Sequence, residues 1–314
     1  MLEDEFKAFF DEYKNSPLLF CTHKRADIDA IVSAYVLSTL FPKGKICVPD
    51  ECNYSATRLA EKFGIKWFIP DNLNIDEFEG IVAVDTSSYT LLPLAKEKEV
   101  IAVVDHHEVS ENTFRGKFNI VDEKAFSSAE VVYRVFPSHL LSDRLKYLLG
   151  VAIISDTYRF RSASREVFEH MSDLMQGFKY EKMLEDAFPN RPLDEKKAIL
   201  SGLKKLDYVV INSRVVAFSI VSMKEGDLAS ILSEVADVSF CAKEVDNGTR
   251  ISARSSHTCS VPLNKVMNEV GKRGNGGGGG HKHAAGAFVK LNAKKAVELC
   301  ISVIKDFLNN AHRF

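Results

Sequence analysis

The sequence predicts an α/β fold in two domains, and three observations lead to this prediction. With 314 residues, of which 46% are hydrophobic and 27% charged, the chain has the composition of a globular protein too long for one ordinary core. From Pro17 onward, short apolar runs alternate with amphipathic helical patterns, which is typical of a parallel sheet with helices on both faces. Toward the C-terminus, alternating strand patterns indicate a smaller α+β domain with a mixed sheet.

The chain starts with a helical pattern. Leu2, Phe6, Phe9, Phe10 and Tyr13 recur at helical spacing among acidic residues. This segment lacks the basic start and apolar middle of a signal peptide, and no apolar run reaches the roughly 18–20 residues that cross a bilayer. We therefore expect a cytoplasmic protein without a membrane segment.

Five apolar runs of about strand length follow the first helix. Helical patterns over 30–40 and 56–63 separate the first three runs. Ligands bind at the carboxyl ends of strands in open α/β sheets, so the polar residues that end these runs could converge in space. The runs are LLFCT (18–22), KICVP (45–49), KWFIP (66–70), GIVAVD (80–85) and VIAVVD (100–105).

The second half of the chain contains the predicted domain boundary. Helical patterns fill 143–188, Pro189 and Pro192 interrupt them, and a further helical pattern covers 193–206. We therefore predict an N-terminal domain over 1–188, a linker at 189–196 and a C-terminal domain over 197–314. The alternating runs RVVAFSIV, VSFCAKEV and TRISARSS predict the strands of a mixed or largely antiparallel sheet.

A candidate metal site begins directly after the first apolar run. His23, Asp27 and Asp29 form the pattern H-x-x-x-D-x-D, in which a loop and a helix start can turn an imidazole and two carboxylates toward one point. Hard divalent cations favour such oxygen-rich sites. The alternative is structural, because Asp27 or Asp29 could instead cap the helix that starts near Ala30.

Further ionisable residues lie at or near the ends of other apolar runs. These are Asp85, the triplet Asp105-His106-His107 and Asp156. Brought together, the carboxylates would repel one another, and two bound cations would remove that repulsion while activating water and clamping phosphate oxygens. The six cysteines show no CxxC pair or short repeating spacing, so we expect reduced, mostly buried thiols and neither a zinc site nor a disulfide framework. The predicted cofactor is therefore Mn²⁺, two ions per site, with Mg²⁺ or Co²⁺ as substitutes.

A glycine-rich segment, GNGGGGGHKHAAG, spans 274–286. Such a segment suits close approach of backbone N–H groups to phosphate, and it is no Walker A motif because no Gly-Lys-Ser/Thr follows at the required spacing. A flexible linker is the alternative, although the segment continues directly into a strand-like run. Residues 241–290 carry a local charge of +5 against −7 for the rest of the chain, which suits an anionic ligand as well as a solvated surface.

Four segments, THKRADIDA, AVDTS, VVDHHE and IISDT, resemble in this order the motifs of the DHH phosphoesterase superfamily. The resemblance implies two metal ions bridged by Asp85 and a substrate-facing His107, and we assign His107 and Asp105 to the catalytic group. Which of the two adjacent histidines is the ligand rests on the family pattern alone. The implied ligands are His23, Asp27 and Asp85 for one metal, and Asp29, Asp85, His106 and Asp156 for the other.

The C-terminal segment resembles the DHH-associated domain of the same proteins. The segment with Gly278, Gly279, Gly280 and His281 resembles the GGGGH-x-x-A-G signature of that domain, and ISARSS resembles its strand that carries an arginine, here Arg254. The resemblance implies that Arg254 grips a phosphate or a terminal nucleotide and that His281 binds or orients the scissile phosphate. This domain is therefore the expected substrate-binding domain, and the domain over 1–188 the catalytic one.

The implied function is metal-dependent hydrolysis of nucleotide phosphates. The length of the chain favours the nano-RNase branch, which degrades short single-stranded RNA or DNA oligonucleotides and often dephosphorylates 3′-phosphoadenosine 5′-phosphate. Three alternatives stay open: a cyclic- or linear-dinucleotide phosphodiesterase, a pyrophosphatase or exopolyphosphatase, and a non-catalytic nucleic-acid-binding module. The sequence also allows a homodimer.

Overall fold

Two structural units make up the chain, Met1–Asn190 and Arg191–Phe314. The computed structural model describes residues 2–108, 113–256 and 258–310. The first unit contains a five-stranded, all-parallel sheet with the strand order β2-β1-β3-β4-β5. Its strands are β1 (Leu18–Cys21), β2 (Lys45–Cys47), β3 (Gly80–Val84), β4 (Val100–Asp105) and β5 (Phe118–Val121).

The predicted parallel sheet is confirmed. Strands β1 and β3 are buried along their whole length, because a sheet covered by helices on both faces needs apolar side chains on both. The helices of this unit are α1 (Leu2–Tyr13), α2 (Ile28–Ser38), α3 (Tyr54–Phe63), α4 (Ser128–Val135), α5 (Asp143–Asp156), α6 (Arg165–Leu174) and α7 (Tyr180–Ala187).

Two details of the predicted sheet are wrong. The run at 66–70 forms no strand but only a bridge from Phe68 to Cys47, because Pro70 starts a 3₁₀ turn directly after it. The fifth strand is instead β5, a four-residue edge strand whose Asn119 N–H donates to the Glu5 carboxylate of α1 at 3.0 Å. Its short, half-polar run FNIV gives little sign of a strand.

The second unit contains a six-stranded sheet with the strand order β10-β11-β9-β8-β7-β6. β7 and β8 are parallel and all other neighbours antiparallel, which confirms the predicted mixed sheet. The strands are β6 (Asp207–Ile211), β7 (Arg214–Ile220), β8 (Val238–Val245), β9 (Gly248–Ser255), β10 (Gly277–Gly280) and β11 (Ala284–Val289), and the helices are α8 (Leu193–Lys204), α9 (Glu225–Leu232), α10 (Leu263–Arg273) and α11 (Ala293–Asn310).

Helices cover both faces of the second sheet. Leu228 and Leu232 of α9 pack with Ile199 of α8 against one face, and α10 and α11 pack against the other. Helix α8 begins at Leu193, within the stretch 189–196 that the sequence indicates as a linker. None of the described helices combines the length and the apolar character needed to cross a bilayer.

All six cysteines are buried, as expected, and none is paired in a disulfide. They divide evenly between the two units. Cys21, Cys47 and Cys52 lie in the first unit, and Cys241, Cys259 and Cys300 lie in the second.

Candidate metal centre and glycine-rich hairpin

Acidic and imidazole side chains converge at the carboxyl edge of the parallel sheet. His23 follows β1, Asp85 follows β3, and Asp105 ends β4. The carboxyl ends of parallel strands share one edge, so residues far apart in sequence become neighbours there. Helix α5 adds Asp156 at its C-terminal end, and Asp29 lies in the first turn of α2.

Asp85 lies at the centre of this cluster. Its Oδ2 is 3.3 Å from Nε2 of His23, and its Oδ1 is 3.5 Å from Nε2 of His106. The residue is 3% exposed and has a left-handed backbone with φ of 60°. A non-glycine residue in this conformation is strained, and such strain often marks a functional position.

The potential ligand atoms form three groups. Atoms of His23, Asp27 and Asp85 lie within 4.8 Å of one another, and so do atoms of Asp29, His106 and Asp156. The third group consists of Asp85, His106 and His107 and joins the first two through the contact between Asp85 and His106. In each of the first two groups, one imidazole and two carboxylates are a donor set that suits a divalent cation such as Mn²⁺.

Backbone carbonyls fix the orientation of two histidines. Nδ1 of His23 lies 2.8 Å from the Lys24 carbonyl oxygen, and Nδ1 of His106 lies 3.3 Å from that of Ala125. A carbonyl oxygen can only accept, so Nδ1 carries the proton in each ring and the lone pair of Nε2 points toward the carboxylates. Burial and the charge of His107 lower the pKa of His106, which keeps it in the neutral form that binds metal.

The neighbouring histidine has a different environment. Nδ1 of His107 donates to Oδ1 of Asp105 at 2.7 Å, and half of its side chain is exposed. This hydrogen bond raises the pKa of His107 to about 9, so the imidazole is protonated at neutral pH. Burial alone would raise the pKa of Asp105, but the hydrogen bond and charge of His107 lower it. The structure thus distinguishes the two histidines by their hydrogen bonds.

Asp29 is held at the N-terminus of α4. Its two oxygens accept from the backbone N–H groups of Ser128 and Ala129 at 2.7 and 2.8 Å. The Ser128 hydroxyl donates to Oδ1 of Asp85 at 2.8 Å, so one serine contacts two carboxylates of the cluster. Ser128 is absent from the site residues predicted from sequence, although the capping pattern of Ser127 and Glu130 marks a helix start at this point.

Asp27 combines both roles that its sequence position indicates. Its Oδ1 caps α2 by accepting from the Ala30 N–H at 3.1 Å, and the same atom lies 3.9 Å from Nε2 of His23. A carboxylate oxygen has two lone pairs, so the helix cap leaves room for a cation. The capping alternative therefore does not exclude a ligand role.

The electrostatics of the cluster fit bound cations. Burial and the charge of Asp27 raise the pKa of Asp29 to about 7. Burial and neighbouring carboxylates also raise the pKa of Asp85 and of Asp156 well above the usual range. Buried carboxylates that repel one another are costly without positive charge, and a divalent cation within reach of them would remove that cost.

The glycine-rich segment forms a β-hairpin with β11. His281 and Ala284 flank its two-residue loop and exchange backbone hydrogen bonds of 2.8 and 3.3 Å. Bonded pairs alternate along an antiparallel ladder, so the N–H groups of Gly278 and Gly280 point away from β11 toward the edge of the sheet. Gly280 has a φ of 131°, which side-chain-bearing residues rarely adopt.

Close packing against α10 also explains the glycines. A Cβ at Gly278 would lie 2.0 Å from the Met267 carbonyl oxygen, whereas a Cβ at Gly277 or Gly279 would meet nothing within 4 Å. Four consecutive glycines therefore form a strand here, although glycine is unfavourable in strands, because a helix backbone approaches one face of this strand. The segment is not a linker.

Alanine substitution should distinguish the glycine that packs against α10 from the glycines that have open space around them. We expect Gly278→Ala to lower the free energy of unfolding by about 1–3 kcal/mol, because the new methyl group clashes with helix backbone. Gly279→Ala, the matched control, should change it by less than about 0.5 kcal/mol. Urea unfolding of both variants measures the difference, and equal stabilities would contradict the close packing of α10 on Gly278.

Arg254 lies beside the glycine-rich hairpin. The register partner of Arg254 on β11 is Ala284. The Ala284 carbonyl oxygen accepts a hydrogen bond from the backbone N–H of the exposed His281. Nη1 donates to the Ala253 carbonyl oxygen at 2.9 Å, and burial lowers the pKa of Arg254 while the charge of Asp227 opposes this shift. A partly buried guanidinium of this kind is suited to an anionic ligand.

Comparison with known proteins gives matches over both units. The model of the DHH family, N-terminal domain, matches residues 17–153, and the model of the DHHA1 domain matches residues 212–310. An uncharacterised protein of Methanocaldococcus jannaschii is 28% identical over 319 residues, which cover 96% of this chain and 94% of the relative.

Two further relatives bear on chemistry and fold. A probable manganese-dependent inorganic pyrophosphatase of Streptococcus equi subsp. zooepidemicus is 26% identical over 167 residues, which are 49% of this chain and 53% of that protein. The crystal structure of an exopolyphosphatase-related protein from Bacteroides fragilis matches with a TM-score of 0.78 and 16% identity, covering 98% of this chain and 96% of that one. At this identity the likeness shows a shared fold.

Proposed function

Because the chain belongs to the DHH superfamily and carries a C-terminal DHHA1 domain, we propose that it is a manganese-dependent phosphodiesterase that degrades short oligonucleotides to mononucleotides. Metal-dependent phosphoesterase activity in the broader sense follows from the two domains themselves. The observation that carries the proposal is the position of Asp85, whose two oxygens contact a histidine of each donor group, next to a His107 held by Asp105. Short single-stranded RNA or DNA and 3′-phosphoadenosine 5′-phosphate are the proposed substrates.

Two cations bound by these groups would activate water and neutralise phosphate oxygens. The carboxylates and imidazoles lack any thiolate partner, which favours Mn²⁺, with Mg²⁺ or Co²⁺ as substitutes. The proposed holders are His23, Asp27 and Asp85 for one ion, and Asp29, Asp85, His106 and Asp156 for the other.

His107 is the proposed proton donor. Asp105 holds its Nδ1, so the other ring nitrogen can donate to a phosphate oxygen or to the leaving oxygen. A positioned acid of this kind typically contributes about 10²–10⁴-fold to the rate. Asp105 orients the ring and stabilises its positive charge.

The C-terminal unit is proposed to select nucleotide substrates. Arg254 offers a guanidinium fork for a phosphate, and Gly278 and Gly280 offer edge N–H groups close to His281. We place the reaction in the cytoplasm, where the six unpaired thiols remain reduced.

Hydrolysis of pyrophosphate or polyphosphate is the second candidate function. The likeness to a probable manganese-dependent inorganic pyrophosphatase favours it, since the same metal chemistry serves both substrates. That likeness covers only 49% of the chain, whereas the nucleotide proposal also uses the DHHA1 domain over 212–310. We therefore rank it second.

A substrate panel tests the proposal. Purified protein with Mn²⁺ is given a labelled RNA dinucleotide, a five-residue oligonucleotide, 3′-phosphoadenosine 5′-phosphate, a cyclic dinucleotide and pyrophosphate. We expect mononucleotides from the first two at the highest kcat/KM and no turnover in EDTA. Faster hydrolysis of pyrophosphate or of the cyclic dinucleotide would overturn the substrate assignment, and binding without cleavage would identify a non-catalytic module.

Replacement of Arg254 by alanine should weaken substrate binding without loss of metal. A charge-assisted hydrogen bond is worth about 1.5–3 kcal/mol, so KM should rise by roughly 10–100-fold. Arg250→Ala on the same strand is the matched control, because Arg250 is more exposed and contacts Glu225. Steady-state kinetics and metal analysis measure the two quantities, and loss of bound Mn²⁺ in Arg254→Ala would contradict the assignment.

A further inference from the structure

The edge strand β6 carries apolar side chains that the chain leaves uncovered. Tyr208 is 62% exposed and Val210 is 61% exposed. Exposed large hydrophobic side chains are concentrated in the sequence segment that contains this strand: of the fourteen in the described part of the chain, eight lie between residues 193 and 235. We call these eight residues the apolar patch. They are Leu193, Leu200, Leu203, Leu206, Tyr208, Val210, Ile231 and Val235.

The other sheet edges are covered from within the chain or carry no apolar side chains. Helix α1 lies along β5, where Glu5 accepts from the Asn119 N–H. Phe68 hydrogen-bonds to Ile46 and Val48 beside β2. The edge strand β10 is mostly exposed, but it consists of glycine alone. An exposed edge with apolar side chains is a template for pairing with another strand. Within the described ranges, β6 is the sheet edge that retains this character.

The hairpin geometry shows which backbone groups face outward. The loop between β6 and β7 consists of Asn212 and Ser213, both left-handed with φ of 50° and 60°. Such a two-residue loop is flanked by a hydrogen-bonded pair, here Ile211 and Arg214, and bonded pairs then alternate along the strands. The N–H and C=O groups of Tyr208 and Val210 therefore face the open edge.

We propose that β6 pairs with β6 of a second copy of this chain, antiparallel about a twofold axis at Val209. In this register, Tyr208 of each copy lies opposite Val210 of the other, and the outward backbone groups form four hydrogen bonds. The Tyr208 N–H, which now donates to its neighbour Asp207 at 2.8 Å, exchanges that bond for a cross-strand one. The two sheets become one continuous sheet of twelve strands.

The strand is self-complementary in this register. An aromatic residue opposite a β-branched one is a favourable cross-strand pair, and it occurs twice. Asp207 lies opposite Ile211 of the other copy, next to Arg214 on the same face. The Asp207 carboxylate and the Arg214 guanidinium have opposite charges and lie two strand spacings apart, and no like charges of β6 are opposed.

The apolar patch supplies the area that the short strands lack. Stable interfaces bury about 1,200–2,000 Å², more than two five-residue strands can provide. Tyr208 and Val210 share a face with their register partners Ala217 and Val215, which pack under α8 and α9. The exposed Leu200 and Leu203 of α8 lie in the same layer, so they can extend the contact beyond the strands.

Paired charge substitutions test this dimer. Sedimentation velocity of the intact wild type at ~50 µM should give twice the 35.1 kDa mass of one chain. Tyr208→Lys with Val210→Lys places like charges opposite each other twice, so the dimer should be lost. Tyr208→Lys with Val210→Glu places opposite charges there and should restore it. Leu140→Lys with Phe168→Lys, at exposed positions in the first unit, is the matched control and should remain dimeric.

A disulfide trap tests the register. Facing residues in a non-bonded antiparallel pair have Cα atoms about 4.5 Å apart, so Val209→Cys should crosslink to itself under a mild oxidant. Val210→Cys should not, because its own copy lies diagonally across the axis. The native thiols are buried and stay out of the reaction. A monomeric wild type, a dimer that survives the double lysine variant, or crosslinking at 210 instead of 209 would overturn the proposal.

Discussion

Asp85→Asn is expected to abolish both metal binding and turnover. Each oxygen of Asp85 faces a different histidine, so its loss removes a ligand from both groups at once. Loss of a supporting residue alone typically costs 10–100-fold in metal affinity or activity, so loss of the shared ligand should exceed about 100-fold in both. Asparagine is the appropriate replacement because it tolerates the left-handed backbone at this position.

The same substitution should stabilise the metal-free protein. Burial and nearby carboxylates raise the pKa of Asp85, so the folded state disfavours the charged form that the unfolded chain adopts at neutral pH. Asparagine carries no such cost. Calorimetry with Mn²⁺ and thermal unfolding in EDTA measure the two effects, with the exposed Asp76→Asn as control. A variant that keeps more than a tenth of wild-type turnover would rule out the shared role of Asp85.

The metal-free protein should lose stability as the pH rises from about 4 to 9. The pKa of Asp29 is about 7 in the folded state against an ordinary 3.8, so the folded state binds more protons between these values. Its contribution is fully present at pH 4 and is lost as the pH rises through 7, a change on the order of 4 kcal/mol. His107, with its pKa raised to about 9, continues the decline in the same direction.

Bound Mn²⁺ should abolish this loss of stability with rising pH. Bound cations replace the protons as partners of the carboxylates, and metal binding strengthens as the ligands deprotonate. Urea unfolding at pH 5, 6, 7 and 8, in EDTA and in saturating Mn²⁺, measures both curves. Asp29→Asn in EDTA should flatten the part of the curve below pH 7. If the metal-free protein became more stable between pH 5 and 8, the pKa values of the buried carboxylates could not be raised in the folded state.

Much of the first unit is predictable from sequence because its strands are buried on both faces. Apolar runs such as GIVAVD and VIAVVD indicate such strands directly, and an acidic residue at the end of each run indicates the functional edge. β5 gives no such signal, because it is an edge strand that depends on α1 for its cover. Local pattern carries no information about that distant partner.

The finer features of the site depend on contacts between distant segments. His106 and His107 are adjacent and chemically identical, and they differ in contacts with distant or backbone-positioned groups such as the Ala125 carbonyl oxygen and the Asp105 carboxylate. Ser128 and Asp85 are 43 residues apart, so no local sequence pattern predicts their contact. The composition of the glycine-rich strand suggests that a ligand approaches its backbone closely. The structure shows in addition that helix α10 packs closely against this strand.

Each unit contains three buried cysteines, so alkylation of these thiols can report local unfolding of each unit separately. A thiol-specific alkylating reagent reacts with a buried cysteine only when the surrounding structure opens. Peptide mass spectrometry of labelled Cys21, Cys47 and Cys52 would follow the first unit, and Cys241, Cys259 and Cys300 would follow the second. If chelation of manganese loosens only the unit that holds the carboxylate cluster, the first three cysteines should gain label while the other three stay protected.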